Sequence, residues 1–169
     1  MKRFYVGVDL GFDGGIVVLD ENARIMHKQI MPTMSCGNVR SYDIKYIAQT
    51  FVDLKHESKK VKALLYVTVE EIGVMPINGK RAHYLNGFGM GMMGAILTTL
   101  KIPHQFVKPQ IWMKHIFEGM PKEKHKMSVR FCEQRYPEED WTKSDRASKV
   151  HDGMTDATCI ALYGQRYMK

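Results

Sequence analysis

Cysteine is scarce in this chain and poorly spaced for chemistry. Its three copies, Cys36, Cys132 and Cys159, are odd in number, far apart and outside any CxxC pair. That excludes a paired-cysteine zinc site and a disulfide framework, and it suits a reduced compartment. Within Ala157-Thr158-Cys159-Ile160-Ala161-Leu162, Cys159 reads as a small buried hydrophobe on a helix. Long apolar runs are missing too. None reaches the roughly 18 to 20 residues that a membrane-spanning helix needs, and the early Asp9 breaks any signal-peptide pattern. A cytoplasmic chain with no membrane partner is therefore expected. No long linker interrupts the 169 residues, so a single domain over 1–169 is expected, large enough to bury a sizeable core. Acids are outnumbered, 18 against 25 Lys plus Arg, which leaves a formal charge of +7 and an isoelectric point near 9.3. Such a surplus favours a polyanionic partner.

The hydrophobic period changes several times along the chain. Residues 3–8 read as a central strand, Gly11-Phe12-Asp13-Gly14-Gly15 as a tight turn, 16–19 as a second strand and 24–30 as a third, an antiparallel meander. Residues 32–41, with Pro32, Ser35, Gly37 and Asn38, read as a loop. Ile44, Ile47, Ala48, Phe51, Val52 and Leu54 recur at helical spacing behind Asp43, a suitable cap. Residues 63–69 have the profile of a strand buried on both faces. In 84–100, Gly87, Gly89, Gly91 and Gly94 punctuate an apolar run; each costs a helix about 1 kcal/mol, so close approach of another backbone is the expected compensation. A strand over 102–107, helices from Ile111 and over 128–135, and a last helix from Asp152 or Asp156 through Tyr167 complete an α/β order with a mixed sheet flanked by helices.

Four acids stand at the expected junctions of these elements. Asp9 and Glu70, the latter followed by Glu71, end two strands; Asp152 and Asp156, four residues apart, share one face at the start of the last helix. Singly, each has an ordinary role: turn residue for Asp9, helix cap for Asp152, favourable first-turn charge for Asp156. Converging, they would form a hard oxygen site for Mg²⁺ or Mn²⁺. Two such ions roughly 3.5 to 4 Å apart suit phosphodiester hydrolysis. The basic runs 55–62 and 122–126 are singly solvated faces, but beside an acidic pocket they could hold a phosphodiester backbone. Lys108, Lys114, Lys122, Lys124 and Lys126 are the candidate DNA contacts.

Four blocks carry a family resemblance: Val6-Gly7-Val8-Asp9-Leu10-Gly11, Val69-Glu70-Glu71-Ile72-Gly73-Val74-Met75-Pro76, Val107-Lys108-Pro109-Gln110-Ile111-Trp112-Met113-Lys114 and His151-Asp152-Gly153-Met154-Thr155-Asp156-Ala157. In order and spacing they resemble the RuvC-like Holliday-junction resolvases, in particular their bacteriophage and chloroplast-type branch, from residue 4 to about 165. The resemblance implies an RNase H-like fold, a homodimer through the glycine-rich helix 84–100, and Mg²⁺-dependent paired nicking of four-way DNA junctions. It implies Asp9, Glu70, Asp152 and Asp156 as metal-binding and catalytic carboxylates, with Glu70 preferred over Glu71 because it stands six residues before Pro76. Lys124 or Lys126 would touch the scissile phosphate. His151 is a neighbour or proton relay. Bacterial members carry an aromatic shortly after the catalytic Glu where this chain has Gly73; Tyr84 or Phe88 could replace it, although core packing is the plainer fate of both, as space filling is for Trp112. An actin-like or sugar-kinase-like ATPase shares the Asp-Leu-Gly opening but needs two lobes and a longer chain. A DNA-binding module without catalysis would gain nothing from four acids near phosphates.

Overall fold

A computed structural model describes residues 2–73, 79–121, 126–144 and 146–168, with the side chain of Cys36 left aside. The central sheet holds five strands, β1 (Arg3–Asp9), β2 (Gly15–Leu19), β3 (Ile25–Ile30), β6 (Leu64–Glu70) and β7 (His104–Val107), in the order β3-β2-β1-β6-β7. The meander is antiparallel as expected, with Val6 opposite Val18 and Ile16 opposite Gln29. β6 and β7 then add in parallel, with Val6 beside Val67 and Val69 beside Phe106. Helices α1 (Ile44–Lys60) and α2 (Lys80–Thr99) cover one face; α3 (Pro109–Ile116), α4 (Met127–Arg135) and α5 (Asp152–Tyr167) cover the other. β1, β2 and β6 lack polar alternation because both faces are roofed. Val6, Val8, Val67 and Val69 pack towards Ile47, Phe51, Met93 and Leu97, whereas Val17 and Leu19 meet Trp112, Cys132, Cys159 and Ile160.

The cap expected for α1 is formed, since Asp43 Oδ1 accepts from the Tyr46 amide at 2.9 Å. Cys159 is fully buried on α5, also as expected. Residues 32–41 differ from the loop expectation: β4 (Thr33–Cys36) and β5 (Val39–Tyr42) form an antiparallel hairpin around Gly37, whose φ is 59°. Four-residue strands give too short a pattern to stand out, and much of the hairpin's support comes from elsewhere in the chain. Arg40 donates to Asp13 Oδ1 at 2.8 Å and to the Phe12 carbonyl at 2.6 Å, with its guanidinium over the Phe12 ring. Tyr84 and Phe88 are not core residues either. They stack on one another at the start of α2 and are 69 % and 39 % exposed.

The contact that positions α5 is made almost without side chains. A methyl group built on Gly7 of β1 would lie 1.9 Å from the Ala157 carbonyl oxygen and 2.4 Å from the Ala161 nitrogen; one on Gly153 would lie 2.3 Å from the Asp13 carbonyl oxygen. Backbone therefore rests directly on backbone, and Gly14 and Gly153 even share an isolated parallel bridge. Small residues at 157 and 161 let the helix come down on the strand. Gly7→Ala is expected to lower stability by about 3 kcal/mol, since neither partner is a flexible side chain that could move aside. Urea unfolding measures this, and an unchanged midpoint would show that α5 can lift from β1 at no cost.

Candidate carboxylate site

The parallel register sets the first pair of acids. Val8 lies beside Val69, so the next residues, Asp9 and Glu70, emerge as neighbours at the carboxyl ends of β1 and β6, where α/β folds open their crevice. Glu70, not Glu71, faces Asp9: the Glu71 amide is spent on the Val107 carbonyl at 2.8 Å, while Glu70 Oε1 accepts from Trp112 Nε1 at 3.0 Å. α5 brings the second pair. Asp152 is its first residue and Asp156 follows one turn later, 41 % and 18 % exposed as side chains. Lys126, which precedes α4, reaches across to both, with Nζ 2.9 Å from Asp156 Oδ2 and 3.4 Å from Asp152 Oδ2.

These distances have electrostatic consequences. Burial pushes the Asp9 carboxyl well above the usual carboxylate range, and the charges of Glu70 and Asp156 push it further, as does a hydrogen bond shared with Glu70. Burial also raises Glu70; the Trp112 N–H opposes it and the Asp156 charge reinforces it. Both carboxyls of the pair therefore hold a proton more tightly than a free side chain does. Burial works against the Lys126 ammonium, but its hydrogen bond to Asp156 and the charges of Asp156 and Asp152 prevail and hold the group above its ordinary value. Tyr42 is raised by burial and then by the Asp9 charge, which places its hydroxyl within the same field. His151 is lowered, first by burial and then by Lys143, and its Nδ1 is buried without a hydrogen-bond partner among the described residues.

Three of the four expected acids, Asp9, Glu70 and Asp156, thus act on one another, and Lys126 joins Asp152 to Asp156. Asp152 is not among the largest influences on Asp9. Among the described residues, no three His, Cys, Asp or Glu side chains already stand in ligating positions around one point. The donor set nevertheless fits a hard divalent cation: it is all carboxylate oxygen, it carries excess negative charge, and an ammonium group already sits between two of its members. Of the candidate DNA contacts among the described residues, Lys126 enters this site and Lys108 and Lys114 do not. Lys108 precedes α3 and Lys114 lies in its last turn, both exposed, while Lys122, Lys124 and the Pro76 that set the Glu70 spacing lie outside the described residues. Trp112 does more than fill space, because its indole N–H orients Glu70. The signal was present in its type: a buried Trp needs an acceptor.

A carboxyl that binds its proton more tightly when folded than when unfolded destabilises the native state as pH rises from the ordinary carboxylate range through its raised value. Asp9 and Glu70 both shift that way. In chelator-treated buffer, Asp9→Asn is therefore expected to melt at a higher temperature than the parent at pH 8, with the gap closing towards pH 4. Equal melting temperatures at pH 8 would contradict the crowding of charge inferred here.

No family model matches the sequence, and no curated protein does. Solved structures do resemble the fold. A Thermus thermophilus RuvC in complex with a Holliday junction substrate aligns with a TM-score of 0.57 at 13% identity, over 98% of this chain and 94% of its own. A Thermus thermophilus RuvC structure gives 0.59 at 14% identity, over 98% and 95%. Likeness at this identity concerns the backbone: the chain has the RuvC-like, RNase H-like α/β fold, with the mixed sheet and flanking helices described above.

Proposed function

We propose that this chain is a structure-selective endodeoxyribonuclease that nicks branched DNA, four-way junctions foremost, with Asp9, Glu70, Asp152 and Asp156 as its catalytic, metal-binding carboxylates. The observation that carries this reading is the mutual repulsion of Asp9, Glu70 and Asp156 in one crevice, answered by the Lys126 ammonium. A purely structural cluster would gain nothing from such crowding. Bound between these oxygens, Mg²⁺ or Mn²⁺, two ions per site, would ready a water for attack and neutralise the departing oxygen.

The side chains divide the remaining work. Asp9 would ligate as the carboxylate, so protons compete there with the cation, and Glu70 is already held by Trp112 in the orientation that faces Asp9. Lys126 is poised to exchange the carboxylates of Asp152 and Asp156 for the scissile phosphate, a point charge on a flexible stem. Lys108, Lys114, Lys122 and Lys124 supply further phosphate contacts. Paired nicking needs two sites, and a homodimer through helix 84–100 supplies them. Supporting this, Gly87 and Gly91 lie on the exposed face of α2 with open space where a Cβ would stand, beside exposed Tyr84 and Phe88, so a second copy could approach closely. The 169 residues act as one nuclease domain in the cytoplasm. Among the described residues no helix is long and apolar enough to cross a membrane. The four-residue spacing of Asp152 and Asp156 supports the phage-type branch.

A synthetic four-way junction incubated with purified chain and Mg²⁺ tests this. Symmetric nicks are expected, with Asp9→Asn slower by more than the roughly 100-fold that losing a ligand's supporting partner costs. Equal nicking by parent and variant, or none from the parent with either Mg²⁺ or Mn²⁺, would end the nuclease reading.

A further inference from the structure

Helices α1 and α2 both finish at the pole of the sheet opposite the acids, beside the first residues of β6 and β7. They finish in the same way. After α1 the Ala63 amide donates to the Ser58 carbonyl at 2.8 Å and the Lys62 amide to the Lys59 carbonyl at 3.1 Å; after α2 the Ile102 amide donates to Leu97 and the Lys101 amide to Thr98, each at 2.9 Å. In both motifs the turning residue has a left-handed backbone, φ 55° at Lys62 and 51° at Lys101. Glycine takes that conformation freely and is the usual occupant, whereas a lysine is held there against its preference. Both lysines are exposed.

Four more lysines gather around these two. Lys55, Lys59 and Lys101 line one shallow recess together with Ser58 and Leu64. Lys55 Nζ donates to the Leu100 carbonyl, which ties α1 to the end of α2. Lys2 adjoins through its carbonyl, which accepts the Leu64 amide at 3.0 Å. Lys60 binds Glu57 at 2.7 Å, and among the described residues that is the acid that ion pairing brings into the group. Helix-end carbonyls account for Lys55, Lys59 and Lys60. They do not account for Lys2, nor for lysine in place of glycine at the left-handed positions 62 and 101.

We infer that this lysine-rich pole is a second binding surface, one that takes the phosphodiester backbone of a DNA segment other than the one in the carboxylate crevice. Lysine ammoniums suit phosphates met as point charges without regard to sequence. β6 spans seven residues, so the pole lies about 20 Å from Glu70 along the strand. The patch would engage a separate arm or a bent flank. A DNA partner is taken from the proposed function, but the surface does not depend on cleavage.

The test uses a short linear duplex in chelator, where nicking plays no part. Lys62→Gly/Lys101→Gly removes two charges and relieves both strained backbones, so its melting temperature should equal or exceed that of the parent while affinity falls about tenfold and the salt dependence loses a slope of about two. Lys62→Arg/Lys101→Arg should bind as the parent does. Duplex should also protect Lys62 and Lys101 from acetylation, read by mass spectrometry. Unchanged affinity and slope in the glycine variant, or equal acetylation with and without duplex, would overturn the inference. So would protection by phosphatidylserine vesicles and not by duplex, which would make the pole a lipid surface. A chain that passes these tests yet leaves a junction uncut would refute the nuclease reading and keep this surface.

Discussion

With Gly7 beneath the Ala157 carbonyl and Gly153 against the Asp13–Gly14 backbone, α5 lies on the β1–β2 hairpin without the side-chain layer that ordinarily separates a helix from a sheet. Everything at the site follows from that closeness. One more methylene of separation at the seam would carry Asp156 away from Asp9, and the interaction between their charges would fade with distance and incoming water. The same descent buries Ala157, Cys159, Ile160 and Ala161 against β1 and β2, so packing energy holds the acids where their mutual charge opposes them. The hairpin's far side is braced as well, by Arg40 on Asp13 and Phe12 and by Phe12 on the Tyr42 ring.

Charge is offset in part by two devices. Burial and crowding favour a proton on the Asp9–Glu70 pair, and the Lys126 ammonium offsets part of the charge on Asp152 and Asp156. Both are replaceable, because a divalent cation offers more charge in less volume and competes with each. At the opposite pole the imbalance has the other sign, since six lysines gather there and Glu57 pairs with one of them, Lys60. The net charge of +7 thus conceals an acidic crevice and a basic end separated by the length of one strand.

Much of this architecture can be read from local pattern. The meander, the doubly buried strand before Glu70, the Asp43 cap and the final helix each rest on a run long enough to show its period. The hairpin over 33–42 does not, because its strands are four residues long and its anchor, Arg40, binds a turn 27 residues earlier. The acids could be named from their positions at element ends, but pairing Asp9 with Glu70 and not Glu71 needs the register between β1 and β6. Trp112 and Lys126 acquire their roles from contacts 42 and 30 residues distant, which no local spacing reveals. Tyr84 and Phe88 look like core residues because they occur in an apolar run, yet they stand on the exposed side of α2.

The central claim is that strand-end and helix-start acids act as one cation site, and Mn²⁺ titration followed by electron paramagnetic resonance addresses it most directly. The account expects saturable binding to the parent chain and a clear loss of it on replacing either Asp9 or Asp156 with Asn, although the two stand on different elements. Undiminished Mn²⁺ binding by both variants would contradict it.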